Sequence, residues 1–271
     1  MIRIRPAFFS IFLLLSAFDL FAQSKDTTIS VGQHSLHFNI TEGQGVPIIF
    51  ESGAGNDASV WQQLLAPLSA RLSAPLITYD RAGFGKSGID TVNVNLSTEV
   101  ADLKRALNKL GYNDQYFFVA HSFGGNYTLK FADENKGQVL GAVMIDIVSP
   151  YFMTMERGKS LKIEYADRLQ EIKKESLGFY HLTMNYENST AILHEVAPHA
   201  TIPMTIIGSG ITPFEEPDRS KCVAALKKFA DEKGNRKYIL EPNAQHHIFY
   251  DNPALVIEEI QSLYKKTTSA E

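Results

Sequence analysis

Phe117-Phe118-Val119-Ala120-His121-Ser122-Phe123-Gly124-Gly125 is an apolar run that stops at a serine between small residues and continues into a stretch able to form a helix. It reads as a buried strand, a sharp turn and a helix, with the serine at the apex. A serine hydroxyl is a weak nucleophile until it is lifted clear of the backbone and set against a base, and a strand-to-helix elbow does the lifting. The turn is crowded, so small residues are needed two before and two after the serine. Ala120 and Gly124 stand there, giving Ala-x-Ser-x-Gly where Gly-x-Ser-x-Gly is commoner, and Gly125 lets the helix pack close to the sheet. Serine is also a favoured helix N-cap, so the assignment of Ser122 as a nucleophile depends on what the rest of the chain supplies.

Outward from this elbow, strand and helix patterns alternate. Residues 27–31 and 36–40 read as a hairpin, and 46–50 as a short buried strand after the turn at Gly43 to Gly45. A helix is expected over 64–72, a strand over 75–79, and a helix over 97–110 whose Val100, Leu103, Leu107 and Leu110 share a face and which Gly111 stops. Strand 116–119, helix 124–132 and strand 139–145 follow. The alternation predicts an α/β fold with a mostly parallel central sheet and helices on both faces, whose ligand sites lie at the carboxyl ends of the strands. Between about 150 and 203 the pattern changes. Leu161, Tyr165, Leu169 and Ile172 fall on one face of a charged helix, then come Phe179-Tyr180-His181-Leu182-Thr183-Met184 and a short helix near 191–196. This segment reads as a small helical cap inserted between strands. Its aromatic and methionine side chains suit either an apolar substrate pocket or plain packing of cap on core. The sheet resumes at 204–207, with a helix at 219–233, a last strand at 238–240 and a closing helix at 254–264.

Residues 1–22 read as an export signal: Arg3 and Arg5 make a basic start, 7–18 is mostly apolar, and Ala22 follows as a small residue. The apolar run is too short for a stable bilayer anchor. The remaining residues 23–271 suffice for one domain with a full core, and the expected location is periplasmic or secreted. The formal net charge of −4 offers no basic footprint for nucleic acid or an anionic membrane surface. Cys222 is the single cysteine, so no intrachain disulfide is available and burial on a helix is its expected role. Three glycosylation sequons, at Asn39, Asn126 and Asn188, carry no weight at this length of motif.

A nucleophilic serine needs a base, and His246 is placed to be one. It lies just after the last expected strand, in Ala244-Gln245-His246-His247-Ile248-Phe249-Tyr250-Asp251-Asn252-Pro253, in a loop that projects from the same sheet edge as the elbow. His247 is the adjacent competitor. His34, His37, His181, His194 and His199 read as surface or cap residues, and His121 as packing beneath the elbow. Acyl transfer also needs donors aimed at the developing oxyanion. The Phe123 amide, next after the nucleophile, is one. The glycine-rich Glu51-Ser52-Gly53-Ala54-Gly55 after the strand at 46–50 supplies the other, with Ala54 the expected donor.

These residues resemble the α/β-hydrolase superfamily. The similarity runs through Phe50-Glu51-Ser52-Gly53-Ala54-Gly55 with Trp61, Tyr79-Asp80-Arg81-Ala82-Gly83-Phe84-Gly85-Lys86-Ser87, His121-Ser122-Phe123-Gly124-Gly125 and the segment from His246 to Pro253. Relatives usually carry His-Gly before the oxyanion donor. Ser52-Gly53 stands here instead, which keeps Ala54 in role and loses the histidine. The resemblance implies hydrolysis through an acyl-enzyme. It also implies an acid in the loop after the strand at 204–207, about three residues past its glycine, where this chain has Gly210-Ile211-Thr212. A minority of the superfamily places the acid at the end of the strand next to the nucleophile strand, and Asp146 after Ala142-Val143-Met144-Ile145 fits that place. Glu215, Glu216 and Asp218 are the alternative acids, among prolines that also suit an ordinary turn.

Two other motifs lead nowhere. Gly83, Gly85 and Gly88 form G-x-G-x-x-G, yet 89–95 opens no helix that would present its N-terminus to a pyrophosphate, and the P-loop reading of Gly85-Lys86-Ser87 fails because its leading glycine is Asp80. No cofactor and no metal is expected. The sequence thus predicts an exported serine hydrolase acting on an ester or related acyl bond of a small or medium, largely apolar substrate. A peptidase, an amidase, an acyltransferase or a non-catalytic ligand-binding member are the alternatives on the same fold.

Overall fold

The computed structural model describes residues 24–269, so the expected export signal lies outside the described residues. Two antiparallel strands lead, β1 (Ser24–Ser30) and β2 (Ser35–Thr41), followed by β3 (Ile48–Glu51), helix α1 (Gln62–Ser69) and β4 (Leu76–Tyr79). Helix α2 (Leu96–Lys109) begins at a capping box formed by Asn95 and Thr98. Then come β5 (Tyr116–His121), α3 (Gly124–Glu134) and β6 (Val139–Ile145). Four cap helices follow, α4 (Met155–Glu164), α5 (Leu169–Glu175), α6 (Leu177–Met184) and α7 (Tyr186–Val196). The chain closes with β7 (Met204–Ile211), α8 (Asp218–Asp231), β8 (Arg236–Gln245), the short α9 (Ile248–Asp251) and α10 (Pro253–Thr268).

The eight strands form one sheet in the order β1-β2-β4-β3-β5-β6-β7-β8, antiparallel at β1·β2 and β2·β4 and parallel from there on. The central strands are apolar on both faces because both faces are covered. In β5, Phe118 and Ala120 join the core on the side of α2, α3 and α8, while Phe117 and Val119 join the core on the side of α1 and α10. A one-residue slip would leave each face equally apolar. Register is therefore fixed by the parallel ladder on either side, where Val119 pairs with Phe50 and with Val143.

Three sequence expectations need correction. The charged helix expected through Leu161 to Ile172 is broken at Tyr165, where α4 ends and a short 3₁₀ turn, Ala166–Arg168, leads into α5. Of that apolar face only Ile172 is buried. The last strand is far longer than 238–240, since β8 borders only β7 and its exposed side carries polar residues that dilute the pattern. His37 is buried, not a surface residue. Its Nδ1 stands 3.0 Å from Asp80 Oδ2 and its Nε2 2.9 Å from Asp26 Oδ1, which satisfies both ring nitrogens.

Candidate active site

The elbow has the backbone its sequence demands. Ser122 sits at φ +52°, a left-handed conformation that a non-glycine residue adopts only where its surroundings impose it. They do so here from both sides. The Ser122 amide donates to Ile145 O (3.0 Å), and its carbonyl accepts from Gly125 N (3.0 Å) and Val148 N (3.3 Å). The small residues after it are steric necessities. A Cβ on Gly124 would run into the backbone of Glu51 and Ser52, and one on Gly125 would come within 2.8 Å of Ile147.

Asp146 follows β6 directly and is also left-handed, at φ +43°, a region that aspartate tolerates better than most residues. Its carboxylate is buried and fully engaged. Oδ2 lies 2.7 Å from His246 Nδ1 and accepts the Ser209 hydroxyl at 2.7 Å, while Oδ1 accepts the Ser209 amide at 3.0 Å. With Nδ1–H donated to a carboxylate, the His246 lone pair resides on Nε2. His246 is half-buried, as is Ser122.

The three other acids expected as alternatives are elsewhere. Asp218 pairs with Arg157 Nη2 at 2.7 Å, Glu216 accepts from the Ser220 hydroxyl at 2.8 Å, and Glu215 is exposed. His247 also turns away from Asp146. Its ring stacks on Tyr250 (5.5 Å, 14°), its Nε2 is 3.4 Å from Asn56 Oδ1, and burial lowers its pKa. His121 lies beneath the site as expected. Burial holds it well below the usual histidine range, so it is neutral, and its Nε2–H donates to the His246 carbonyl at 3.1 Å.

The loop after β3 passes against Ser122. Gly53 has to lack a side chain, because a Cβ there would stand 2.8 Å from His121 Nδ1 and 3.2 Å from Ser122 Cβ. Ser52, in the place where a histidine is usual, anchors the loop. Its Oγ accepts from the fully buried Trp61 Nε1 (2.9 Å) and donates to Asp57 O (3.1 Å). Among the described residues, no hydrogen bond takes the amide of Ala54 or of Phe123. Both amides are thus left able to donate to a group bound beside Ser122.

Under this loop lies a buried polar cluster. Arg81 Nη1 donates to Glu51 Oε1 (2.8 Å) and to Ser52 O, Nη2 donates to Gly53 O (2.6 Å), and the Tyr79 hydroxyl donates to Glu51 Oε2. Burial pushes the Glu51 carboxyl up, against the pull of Arg81. The guanidinium lies 4.8 Å from the Tyr127 ring, whose hydroxyl donates to Glu99 at 2.7 Å. Sequence reasoning assigned no role to Glu51, Arg81 or Ser209. A charged residue closing the apolar strand Ile48–Glu51 is a signal for the first, and a serine between Gly208 and Gly210 at a strand's carboxyl end for the last.

The cap closes over the elbow through aromatic contacts. Phe123 meets Tyr186 of α7 at 5.2 Å, Phe179 of α6 meets Tyr165 at 5.9 Å, and a Cβ on Gly55 would be 4.0 Å from Phe179.

The model of the alpha/beta hydrolase family matches residues 48–259. The uncharacterised protein YqjL of Bacillus subtilis (strain 168) is 25% identical over 249 residues, which cover 85% of this chain and 88% of that protein. Among solved structures, a thermophilic esterase from Thermogutta terrifontis aligns with a TM-score of 0.65 at 16% identity, covering 92% of this chain and all of that one. An esterase from Exiguobacterium antarcticum aligns with a TM-score of 0.67 at 16% identity, covering 90% of this chain and all of that one.

Proposed function

Since the chain belongs to the alpha/beta hydrolase family, we propose that it is a serine hydrolase that cleaves an ester or related acyl bond through an acyl-enzyme on Ser122. The observation that carries this reading is the 2.7 Å approach of His246 Nδ1 to the buried Asp146 carboxylate, at the sheet edge where Ser122 stands on its strained turn. In this reading Nε2 of His246 takes the Ser122 Oγ proton as the hydroxyl attacks the acyl carbon. The same proton then goes to the leaving alcohol as the tetrahedral intermediate collapses. Water repeats the sequence on the acyl-enzyme and regenerates the serine. Asp146 holds the imidazole in the tautomer that leaves Nε2 free and stabilises the imidazolium once it forms. The amides of Ala54 and Phe123 donate to the oxyanion.

The aromatic contact of elbow Phe123 with cap Tyr186, and Phe179 beside Gly55, favour a largely apolar acyl or alcohol portion. The two esterases of matching architecture agree with an ester as the bond cleaved. The basic and apolar N-terminal segment further supports export of the enzyme from the cytoplasm.

A panel of p-nitrophenyl esters, anilides and short peptides, assayed on wild type and on Ser122→Ala, tests the proposal. Ester turnover should dominate, and the variant should lose several orders of magnitude of rate while keeping its fold, since one hydroxyl at an elbow adds little to the core. Turnover of a true substrate at wild-type rate by Ser122→Ala rules the mechanism out.

A further inference from the structure

Arg81 is placed to do more than neutralise Glu51. Its guanidinium is buried and reaches three acceptors at once: the Glu51 carboxylate (2.8 Å), the Ser52 carbonyl and the Gly53 carbonyl (2.6 Å). The last two belong to consecutive peptide units of the loop that crosses Ser122. A trans peptide is planar, with its C=O and N–H pointing in opposite directions. Fixing the Gly53 carbonyl on the guanidinium therefore fixes the Ala54 N–H on the opposite side. The backbone of Gly53 lies against the nucleophile, as the 3.2 Å separation between its missing Cβ position and Ser122 Cβ shows. The Ala54 amide has no partner among the described residues, so its direction is set from the carbonyl side of its peptide, where Arg81 Nη2 donates at 2.6 Å and the Asn56 amide more weakly at 3.3 Å.

Resting on the serine-hydrolase reading, we propose that Arg81 is a positioning residue that holds the Gly53–Ala54 peptide in the orientation that donates to the oxyanion. Glu51 in turn holds Arg81. Tyr79 occupies the second carboxylate oxygen, so the Glu51 side chain has one oxygen to give and Nη1 takes it. The planar fork of arginine is essential to this arrangement, because two parallel donors span two successive carbonyls. A lysine ammonium is a single compact centre and cannot hold both in the same geometry.

The test compares Arg81→Lys with wild type on a p-nitrophenyl ester and on a trifluoromethyl ketone, which adds to a catalytic serine to give a tetrahedral oxyanion. Removing one oxyanion donor lowers kcat by roughly 10²- to 10³-fold, and that is the loss expected here. KM should stay within a few-fold, and the ketone inhibition constant should rise by the same factor as kcat/KM falls, a correspondence that general loosening of the fold does not produce. A folded Arg81→Lys enzyme that keeps wild-type kcat and ketone affinity overturns the proposal. If the variant does not fold, the structure of the wild-type ketone adduct decides. The oxyanion should lie within hydrogen-bond distance of Ala54 N and Phe123 N with Arg81 still on the Gly53 carbonyl, and a flipped Gly53–Ala54 peptide overturns the assignment. Failure of the serine-hydrolase reading looks different, because wild type itself would then form no adduct and turn over no ester.

Discussion

Asp146 and His246 lie 100 residues apart in the chain and meet at 2.7 Å, with the Asp146 carboxylate held on its other side by both the amide and the hydroxyl of Ser209. In the proposed mechanism the acid stands at the end of β6, held by Ser209 inside β7, while the place where an acid is usual holds Gly210-Ile211-Thr212. Asp146→Asn should therefore cut the rate by roughly 10³- to 10⁴-fold at neutral pH with the fold retained, because the amide favours the wrong imidazole tautomer. Glu215→Gln, Glu216→Gln and Asp218→Asn should each stay within a few-fold of wild type. Steady-state rates on one ester check all four, and a crippled variant among the last three beside an active Asp146→Asn would move the acid.

Ser209→Ala removes one of the two bonds that Ser209 gives the Asp146 carboxylate and leaves the amide bond in place. Oδ2 keeps His246 Nδ1–H as a partner, so the loss is that of one hydrogen bond to a charged group, about 1.5–3 kcal/mol. The variant should show a lower melting temperature and a fall in kcat smaller than that of Asp146→Asn. A Ser209→Ala enzyme equal to wild type in both would mean that the hydroxyl contributes nothing to the geometry of the acid.

His246→Ala should match Ser122→Ala in severity, whereas His247→Ala should be mild, since only the former reaches Asp146 and the latter stacks on Tyr250. The kcat values of the pair decide it. The reverse order of severity would assign the base to His247.

Much of this site was legible in the chain because its parts sit at the ends of strands with strong apolar patterns. The elbow follows six buried residues of β5, and Asp146 follows β6, so their meeting at one sheet edge follows from parallel pairing alone. Ser209 and the length of β8 were not legible, because β7 continues through Gly208-Ser209-Gly210, and β8, at the sheet edge, is apolar only in places. Arg81 and Glu51 stayed hidden for a different reason. Each looks like a surface charge until the fold brings β3 and the segment after β4 side by side and buries the two together.

Glu99 gives the fold a pH dependence of definite sign. Burial pushes its carboxyl up to about 7, with Arg81 and the Tyr127 hydroxyl opposing the shift. Because the folded value exceeds the unfolded one, the contribution of this group to stability is fully present below the ordinary glutamate range and is lost as pH rises through about 7. Glu99→Gln still accepts from Tyr127 and cannot ionise. Its melting temperature relative to wild type should therefore be higher at pH 8 than at pH 5. An equal difference at both pH values would contradict the assignment.

If the N-terminal segment is an export signal, the mature protein begins at Gln23. Intact-mass measurement of the protein recovered from the native host checks this, and a membrane-retained chain carrying residues 1–22 would contradict it.

The central claim, that Ser122 is the activated nucleophile, is tested most directly by mapping a fluorophosphonate adduct. After incubation of the purified enzyme with the probe, proteolysis and mass spectrometry should find one equivalent of adduct on the peptide containing Ser122 and none on the Ser122→Ala variant, with ester hydrolysis lost in step with labelling. Full labelling of Ser122→Ala, or an unlabelled Ser122 in an enzyme that hydrolyses esters, would contradict the account.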